Sequence, residues 1–469
     1  MSTVEKYEVL IIGSGESGKW MAWTMAEAGH RTAVVERKLI GGSCPNIACL
    51  PSKNIVRSAL VANFARRGPE FGLEIDSYRI NMAGVQRRKR GMVEGDIQFH
   101  LERYKATGTE LVMGTARFVA PRTVEVSFND GGTRLISGDR VFLNLGTRAT
   151  LPDVPGLADS QPLTHVGALD LDRLPDHLIV LGGGYVGLEL AQAFRRFGAR
   201  VTVIERGAQL ASREDPDISA ALLDLFQSEQ IDVLVNTQLL SVAGRSGEQV
   251  KVRVKDSKGE RTLEGSDLLV ATGRTPNTDG IGLELAGVKL APQGFIAVND
   301  RLETSAENVW AMGDCAGSPL FTHVAFDDFR VVRDNLNGGN RTTRNRLIPY
   351  CIFTDPELAR VGLNETEARA NGIDYQLFKI PMVSVLRTHT ISETRGFMKM
   401  LVDARNDRIL GFTAFGAEAS ELLAAVQTAM LGNLPYTVLR EAIFTHPTIA
   451  EGLNFLLGAA LVQQARKAA

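Results

Sequence analysis

The sequence of 469 residues has almost no charge imbalance, since 52 Lys and Arg stand against 54 Asp and Glu for a formal net charge of −2. Such a chain sets up no strong field toward nucleic acid or an anionic membrane surface. It also lacks an uninterrupted apolar run of about 20 residues, the length that crosses a bilayer. The stretch from Met1 to Glu8 is polar and has no basic segment followed by an apolar one, so no secretory leader is expected. Four cysteines are too few for a disulfide scaffold in a chain of this length. These absences predict a cytoplasmic protein with no nucleic-acid and no membrane partner. The one local exception, Arg87-Arg88-Lys89-Arg90, is expected to be a solvated helix face. The length exceeds what one hydrophobic core fills and suggests two to four domains.

What the chain does have is glycine, 46 residues of it, arranged in a duplicated unit. An apolar strand, Val9 to Ile12, runs into the turn Gly13-Ser14-Gly15-Glu16-Ser17-Gly18, a helix to Ala28, and a second strand ending in Glu36. The second copy has the strand Leu178 to Leu181, the turn Gly182-Gly183-Gly184-Tyr185-Val186-Gly187, a helix to Phe197 and a strand ending in Glu205. In both, the acid lies 23 residues after the first glycine. The first glycine permits a tight turn, the second lets a pyrophosphate approach the backbone, and the third lets helix and strand pack closely. Amide groups at the helix N-terminus hold phosphate charge, and the terminal carboxylate accepts hydrogen bonds from a ribose diol. Two dinucleotides are therefore expected.

Further strands ending in glycine turns are read at Leu145-Gly146-Thr147 and from Leu269 to Gly273, and a strand from Asn308 to Met312 ends in Gly313-Asp314. An Asp at a strand tip can accept from a ribityl hydroxyl. From about Leu347 the pattern turns β-rich (Tyr350 to Thr354, Phe397 to Asp403, Ile409 to Phe415), with two later helices.

The chemistry concentrates in Gly41-Gly42-Ser43-Cys44-Pro45-Asn46-Ile47-Ala48-Cys49-Leu50-Pro51-Ser52-Lys53. Residues five apart on an ideal helix point about 140° apart, so the two thiols meet only if Cys44 lies at or before the helix start. A thiol at a helix N-terminus has a lowered pKa. Competing readings are a zinc site, which lacks two further ligands at short spacing, a pair of inert buried thiols, and a structural disulfide. No metal site is expected.

This segment, with the repeats around it, resembles the active site of the class I pyridine nucleotide–disulfide oxidoreductases, which include glutathione reductase, dihydrolipoamide dehydrogenase and mercuric reductase. The resemblance covers essentially the whole chain. It implies an α/β fold with two Rossmann-like domains, for FAD and NAD(P), and a C-terminal α+β dimerisation domain. The implied boundaries are 1–149 with 275–346 for FAD, 150–274 for NAD(P) and 347–469 for dimerisation. By the same resemblance Cys49 is the thiolate facing the flavin and Cys44 the thiol that meets the substrate, the two forming a redox disulfide. Lys53 pairs with Glu189 by the flavin, and Tyr185 is a gate for the nicotinamide. His446, in His446-Pro447-Thr448-Ile449-Ala450-Glu451, is an acid/base oriented by Glu451 and supplied across a homodimer interface. The implied cofactor contacts are Gly13, Gly15, Gly18, Glu36, Gly42, Ser43, Lys53, Ala116, Gly146, Gly313, Asp314 and Thr322 for FAD. For NAD(P)H they are Gly182, Gly184, Gly187, Glu205, Arg206 and Gly273, with Glu205 favouring NADH.

Departures from the well-known members narrow the acceptor. The end of the sequence carries no cysteine pair of the kind that delivers Hg(II) in mercuric reductase. Trp23, near Trp20, stands where glutathione reductase has a substrate-binding arginine, so glutathione disulfide is disfavoured. Stretches such as Phe321 to Arg330 and Leu434 to His446 look most like the bacterial reactive-chlorine-resistance reductases. The reading is thus an FAD-dependent NAD(P)H:disulfide or oxidant oxidoreductase. The alternatives are a dihydrolipoamide dehydrogenase and, in another class, a flavin-containing redox sensor or metal-binding protein. His323 is expected near the flavin, and Cys315 is read as packing.

Overall fold

A computed structural model describes residues 4–459 and 463–465, so the outermost parts of the segments 1–149 and 347–469 lie outside the described residues. The first sheet forms around β1 (Glu5–Ile12), whose Val9 to Ile12 are buried, as a parallel strand covered on both faces requires. The chain continues through α1 (Glu16–Glu27) into β2 (Thr32–Glu36), parallel to β1 with Ile12 opposite Val35. Three helices follow: α2 (Ser43–Ile47), α3 (Cys49–Arg66) and α4 (Met82–Thr107). Strand β3 (Glu110–Ala120) pairs with β2 through its first residues and then with β4 (Thr123–Phe128); β5 (Thr133–Leu143) returns beside β1. The length of β3 and β5 lets each serve both a parallel sheet and an antiparallel meander.

A short β6 (Thr147–Ala149) and α5 (His165–Asp170) lead to the second copy of the unit. It comprises β7 (His177–Leu181), α6 (Tyr185–Phe197), β8 (Arg200–Ile204), α7 (Pro216–Ser228) and β9 (Asp232–Leu234). An antiparallel meander, β10 (Gln238–Arg245), β11 (Gln249–Asp256) and β12 (Gly259–Gly265), precedes β13 (Asp267–Val270), which closes the order β13-β7-β8-β9. Then β14 (Arg274–Pro276) pairs with β6, and β15 (Val309–Ala311) returns to the first sheet beside β5. The two expected glycine-turn strands end earlier than read: β5 stops at Leu143 and β13 at Val270. The expected strand from Asn308 shortens to β15, since Asn308 itself has a positive φ of 60°.

After α8 (Thr322–Leu336), the third sheet assembles antiparallel from β16 (Tyr350–Ile352), β17 (Glu357–Gly362), β18 (Tyr375–Pro381), β19 (Phe397–Asp403), β20 (Ile409–Gly416) and β21 (Gln463–Ala465), in the order β16-β17-β20-β19-β18-β21. Helices α9 (Glu365–Ala370) and α10 (Leu386–Thr390) lie between strands, and among the described residues three helices rather than two follow β20: α11 (Ala419–Leu431), α12 (Tyr436–Glu441) and α13 (Gly452–Gly458). The basic run on α4 is not wholly solvated. Arg87, Arg88 and Arg90 are exposed, but Lys89 is buried and donates to Leu169 O at 3.0 Å and to the Asp170 carboxylate, pinning α4 to α5. Helical spacing puts one residue of any four-residue run on the inner face.

The second and third sheets meet at a buried charge cluster. The Lys399 ammonium, fully buried on β19, donates to Asp215 at 2.7 Å, Asp217 at 2.8 Å and Glu365 at 3.1 Å. Burial alone would raise the pKa of Asp215 and Asp217, but Lys399, with Lys379 beside Asp217, overcomes it and holds both below the usual range. That contribution to stability is present above the unfolded carboxylate pKa of about 4 and is lost as pH falls through the lower folded values. Removing one partner of such a cluster strands uncompensated charge, at about 3–5 kcal/mol. Lys399→Met is therefore expected to lower the thermal midpoint at neutral pH, and to lower it by less well below pH ~4, where the carboxylates take up protons; equal losses at both pH values would contradict the assignment.

Candidate active site

The cysteine pair is placed by a broken helix. Pro45, Asn46 and Ile47 carry α2 only as far as Ala48, whose φ of −134° and ψ of −103° interrupt it, and Cys49 restarts the chain as the first residue of α3. Cys44 is the second residue of α2, so the break at Ala48, rather than a position ahead of the helix, lets the thiols meet. Both are half-buried. The hydrogen bond from Cys44 lowers the Cys49 pKa to about 6, against its burial, with help from Thr322 and Lys53. The same bond, together with burial, raises that of Cys44. Thr322, the first residue of α8, sets its Oγ1 3.2 Å from Cys49 Sγ. The positive ends of α3 and α8 thus both converge on Cys49.

Lys53 lies one turn along α3 and donates to Glu189 Oε2 at 2.7 Å; its ammonium also sits 4.6 Å from the centre of the Phe353 ring. Glu189, on α6 and buried, accepts at Oε1 from Phe353 N at 2.9 Å. Tyr185, the first residue of α6, lies parallel to Tyr350 with ring centres 5.6 Å apart.

These groups line one cavity of about 1050 Å³, at the upper end of ligand-site volumes. It runs from Glu36 past Gly13 and Gly15 to the cysteines, Lys53, Glu189 and Tyr185, and also takes in Gly42, Ser43, Ala116, Gly146, Asp314, Thr322 and His323. Its walls fit a dinucleotide. At Gly13, with φ of +97°, a side chain would strike Asn144 O at 2.2 Å, and at Gly42, with φ of +80°, it would strike Gly15 Cα at 2.5 Å. Gly18 lies behind the wall, its N–H donating to Asn144 Oδ1 at 3.1 Å, and Gly313 N donates to Asp328 at 2.7 Å. Glu36 accepts from Ser14 N and Oγ, Lys38 N and Leu39 N, so its oxygens already hold the turn together.

The glycines of the second turn do not line this cavity, although Tyr185 and Val186 of the same turn do. Gly182 and Gly187 pack against backbone, while Gly184 has open space at the position of a side chain. Glu205 accepts from Gly183 N at 2.7 Å and Gly207 N at 2.6 Å, Arg206 is exposed, and Gly273 O accepts from Thr150 N at 3.0 Å. His446 is also outside the cavity and exposed, with its Nδ1 2.9 Å from Glu451 Oε1, so one chain does not bring it to the cysteines.

Trp23 is interior, packed on Trp20 at 5.3 Å and Tyr104 at 5.7 Å. Cys315 is fully buried, its thiol pushed up to about 12 by burial. His323 bonds through Nε2 to Pro349 O at 2.8 Å, and burial lowers its pKa. Sequence reasoning missed Asn144, whose Oδ1 takes the Gly18 N–H and whose Nδ2 donates to Met312 O at 2.9 Å; a polar residue ending an apolar strand was its signal. It also missed His165, which lines the cavity with Nε2 unpartnered among the described residues, and Arg274, whose Nε donates to Thr147 Oγ1, which in turn donates to Asp314. These last two carried no signal, because their segments are distant in sequence.

A dinucleotide-sized cavity that ends on a cysteine pair with one activated thiol defines a flavin-linked disulfide reductase. Residues 7–328 match the family described as pyridine nucleotide-disulphide oxidoreductase, and residues 348–456 match its dimerisation domain. The chain is 34% identical over 458 residues to the probable pyridine nucleotide-disulfide oxidoreductase RclA of Escherichia coli, covering 97% of this chain and 99% of that protein. It is 34% identical over 456 residues to the mercuric reductase of Acidithiobacillus ferrooxidans, covering 96% and 82%. Its fold matches the Cu(II) complex of the HOCl-induced flavoprotein disulfide reductase RclA with a TM-score of 0.88 at 33% identity, covering 97% and 99%. LpdA of Mycobacterium tuberculosis matches with a TM-score of 0.86 at 25% identity, covering 97% and 99%. The chain therefore belongs to the pyridine nucleotide–disulfide oxidoreductase family, whose members depend on FAD and a pyridine nucleotide. No helix among the described residues is long and apolar enough to cross a membrane.

If Cys49 is the thiolate in contact with FAD, Cys49→Ser keeps FAD and loses the long-wavelength charge-transfer band on reduction. In the unaltered protein that band fades as pH falls through about 6, because a lowered thiol pKa favours thiolate only above that value. An unchanged band in the variant would remove the assignment.

Proposed function

We propose that the chain reduces a small disulfide or a thiol-reactive oxidant through Cys44 and Cys49, with NADH as the preferred electron source. The observation that carries the reading is the asymmetric thiol pair on the wall of the cavity, beside Lys53 and Glu189 and opposite Tyr185. Segments 1–149 and 275–346 would hold FAD and 150–274 the nucleotide. Bound, these two supply a hydride acceptor and donor and pass two electrons to the cysteine disulfide.

The protein groups then divide the work. Cys44, its pKa raised, needs a base before it can attack a sulfur or another soft electrophile. Glu451 holds His446 Nδ1 and leaves Nε2 free for that proton. A second copy, joined through segment 347–469, would bring His446 to Cys44 and make two shared sites. With a disulfide acceptor, Cys44 forms a mixed disulfide and releases one thiol, protonated from His446. The Cys49 thiolate then attacks Cys44 Sγ, displacing the second half as a thiolate that takes its proton from solvent and restoring the Cys44–Cys49 disulfide. Glu205 would accept from a ribose 2′-hydroxyl and repel a 2′-phosphate, which favours NADH.

The E. coli relative is described as HOCl-induced and is solved with Cu(II), so hypochlorous-acid-derived oxidants such as hypothiocyanite, and Cu(II) itself, head the acceptors to test. NADH and NADPH oxidation would be followed against hypothiocyanite, Cu(II), Hg(II), lipoamide, glutathione disulfide and quinones. One oxidant well above the rest, with NADH favoured, is the expected outcome. Fast NAD⁺ reduction by dihydrolipoamide would instead make the chain a lipoamide dehydrogenase.

His446→Ala is expected to slow acceptor turnover by about 10²–10⁴-fold, the usual size of general acid–base catalysis. Flavin reduction by NADH, followed alone by stopped flow, should fall far less. Equal losses in both half-reactions would exclude the proton-handling role.

A further inference from the structure

Tyr185 is backed by a buried network in which none of its partners was expected to act on it. Its ring belongs to a group of four near-parallel rings, with Tyr350, Phe321 and, on the far side of Phe321, His323. It lies 5.6 Å from Tyr350 at 20° and 6.4 Å from Phe321 at 21°, while Phe321 and Tyr350 are 5.7 Å apart at 7°. At the hydroxyl edge of the stack sits Glu214, whose side chain has no solvent exposure. Tyr350 donates to Glu214 Oε1 at 2.6 Å, and Tyr185 donates to the same oxygen at 3.4 Å. The Arg360 guanidinium stands 3.3 Å from Glu214 Oε2, donates to the Tyr350 hydroxyl, and is tied at its far side to Glu367 at 2.6 Å.

The contacts are unequal in a useful way. Tyr350 and Arg360 are on adjacent strands, β16 and β17, and so are fixed relative to one another. Glu214 is followed by Asp215, which is anchored by Lys399 and by Glu365 N and Thr366 N. The buried acid therefore keeps its short bond and its cation whatever Tyr185 does. Tyr185 and Tyr350 both line the cavity, but Tyr350 is fixed on β16 with a short bond to the acid, whereas the bond from Tyr185 is the longest in the set. Burial and the Glu214 charge push its hydroxyl up to about 12, so it stays a neutral donor. A ring held by stacking and one long hydrogen bond can leave and return without disturbing the acid that receives it.

We infer that Glu214, fixed by Tyr350 and Arg360, is a latch that holds the Tyr185 ring in its closed position and so sets how readily the pyridine nucleotide reaches the flavin. Glu214 is a positioning residue here. The inference rests on Tyr185 being the nicotinamide gate of an NAD(P)H-reduced flavoprotein. A gate that is mostly closed weakens apparent nucleotide binding by the fraction of time it is open. Removing the latch therefore tightens apparent binding.

The test is stopped-flow reduction of the FAD-loaded enzyme over a range of NADH concentrations, for the unaltered protein, Tyr185→Phe, Glu214→Gln and the double variant. Each single change should lower the half-saturating NADH concentration by up to about tenfold, the effect of one net hydrogen bond. The change in limiting rate should be smaller. Glu214→Gln weakens the contact by replacing a charged acceptor with a neutral one, and Tyr185→Phe removes it, so the double variant should match Tyr185→Phe rather than multiply the two effects. A merely structural Glu214 would give a Tyr185→Phe enzyme with unaltered half-saturation, or multiplicative effects in the double variant, and either result overturns the latch. If Glu214→Gln does not fold, Tyr185→Phe decides alone, since it keeps the ring stack and every fixed partner of the acid. Failure of the unaltered flavin to be reduced by NADH or NADPH would remove the underlying reading together with the latch.

Discussion

One carboxylate joins the three sheets at the place where the chemistry is expected. Glu189 comes from the second sheet's helix α6, takes the Lys53 ammonium from α3 beside the first sheet, and takes the Phe353 N–H just after β16 of the third. It is buried, so losing either partner would leave a polar group short of a bond in a region of low dielectric. Lys53 is in turn one helical turn from Cys49. The position of the thiol relative to the second nucleotide unit is therefore set by this ion pair together with the packing of α3 residues such as Ile55 and Ala59 against α6.

Charge at the centre of the molecule follows a consistent division. Groups that hold sheets together are fully paired, as with Lys399 among three carboxylates and Arg196 between Glu229 and Asp355. Some groups facing the cavity, the two thiols and Tyr185 among them, keep unequal or incomplete pairing. One thiol of the pair is lowered and the other raised, and Tyr185 shares an oxygen already taken by Tyr350. Complete pairing favours a single geometry, whereas unequal pairing leaves a group able to exchange a proton or move.

The parts readable from sequence were those governed by local spacing. Glycine turns with an acid 23 residues on gave both parallel units, because turn, helix start and strand tip are set by contiguous residues. The cysteine pair stood out in the same way, whereas the pairing of Lys53 and the His446–Glu451 contact were expected from the family resemblance. Where reading and structure differ, a non-local partner decides. Lys89 is buried because α5 packs on α4, and Cys44 meets Cys49 through the break at Ala48. Glu214, Tyr350 and Arg360 carried no signal, since each looks like an ordinary polar residue until residues 185, 214, 350 and 360 are brought together by two different sheets.

The return of β15 to the first sheet bears on how the chain is made. Strand β5 is flanked by β1 on one side and by β15 on the other, and about 165 residues, including the whole second unit, separate β5 from β15. A nascent chain leaving the ribosome therefore carries a first sheet with one open parallel edge until residues 309–311 emerge. The second unit, contiguous in sequence from β7 to β13, can close its own sheet before that edge is covered. The first nucleotide fold to begin is thus the last to be completed, and an unpaired β5 is the surface on which premature association between growing chains would start.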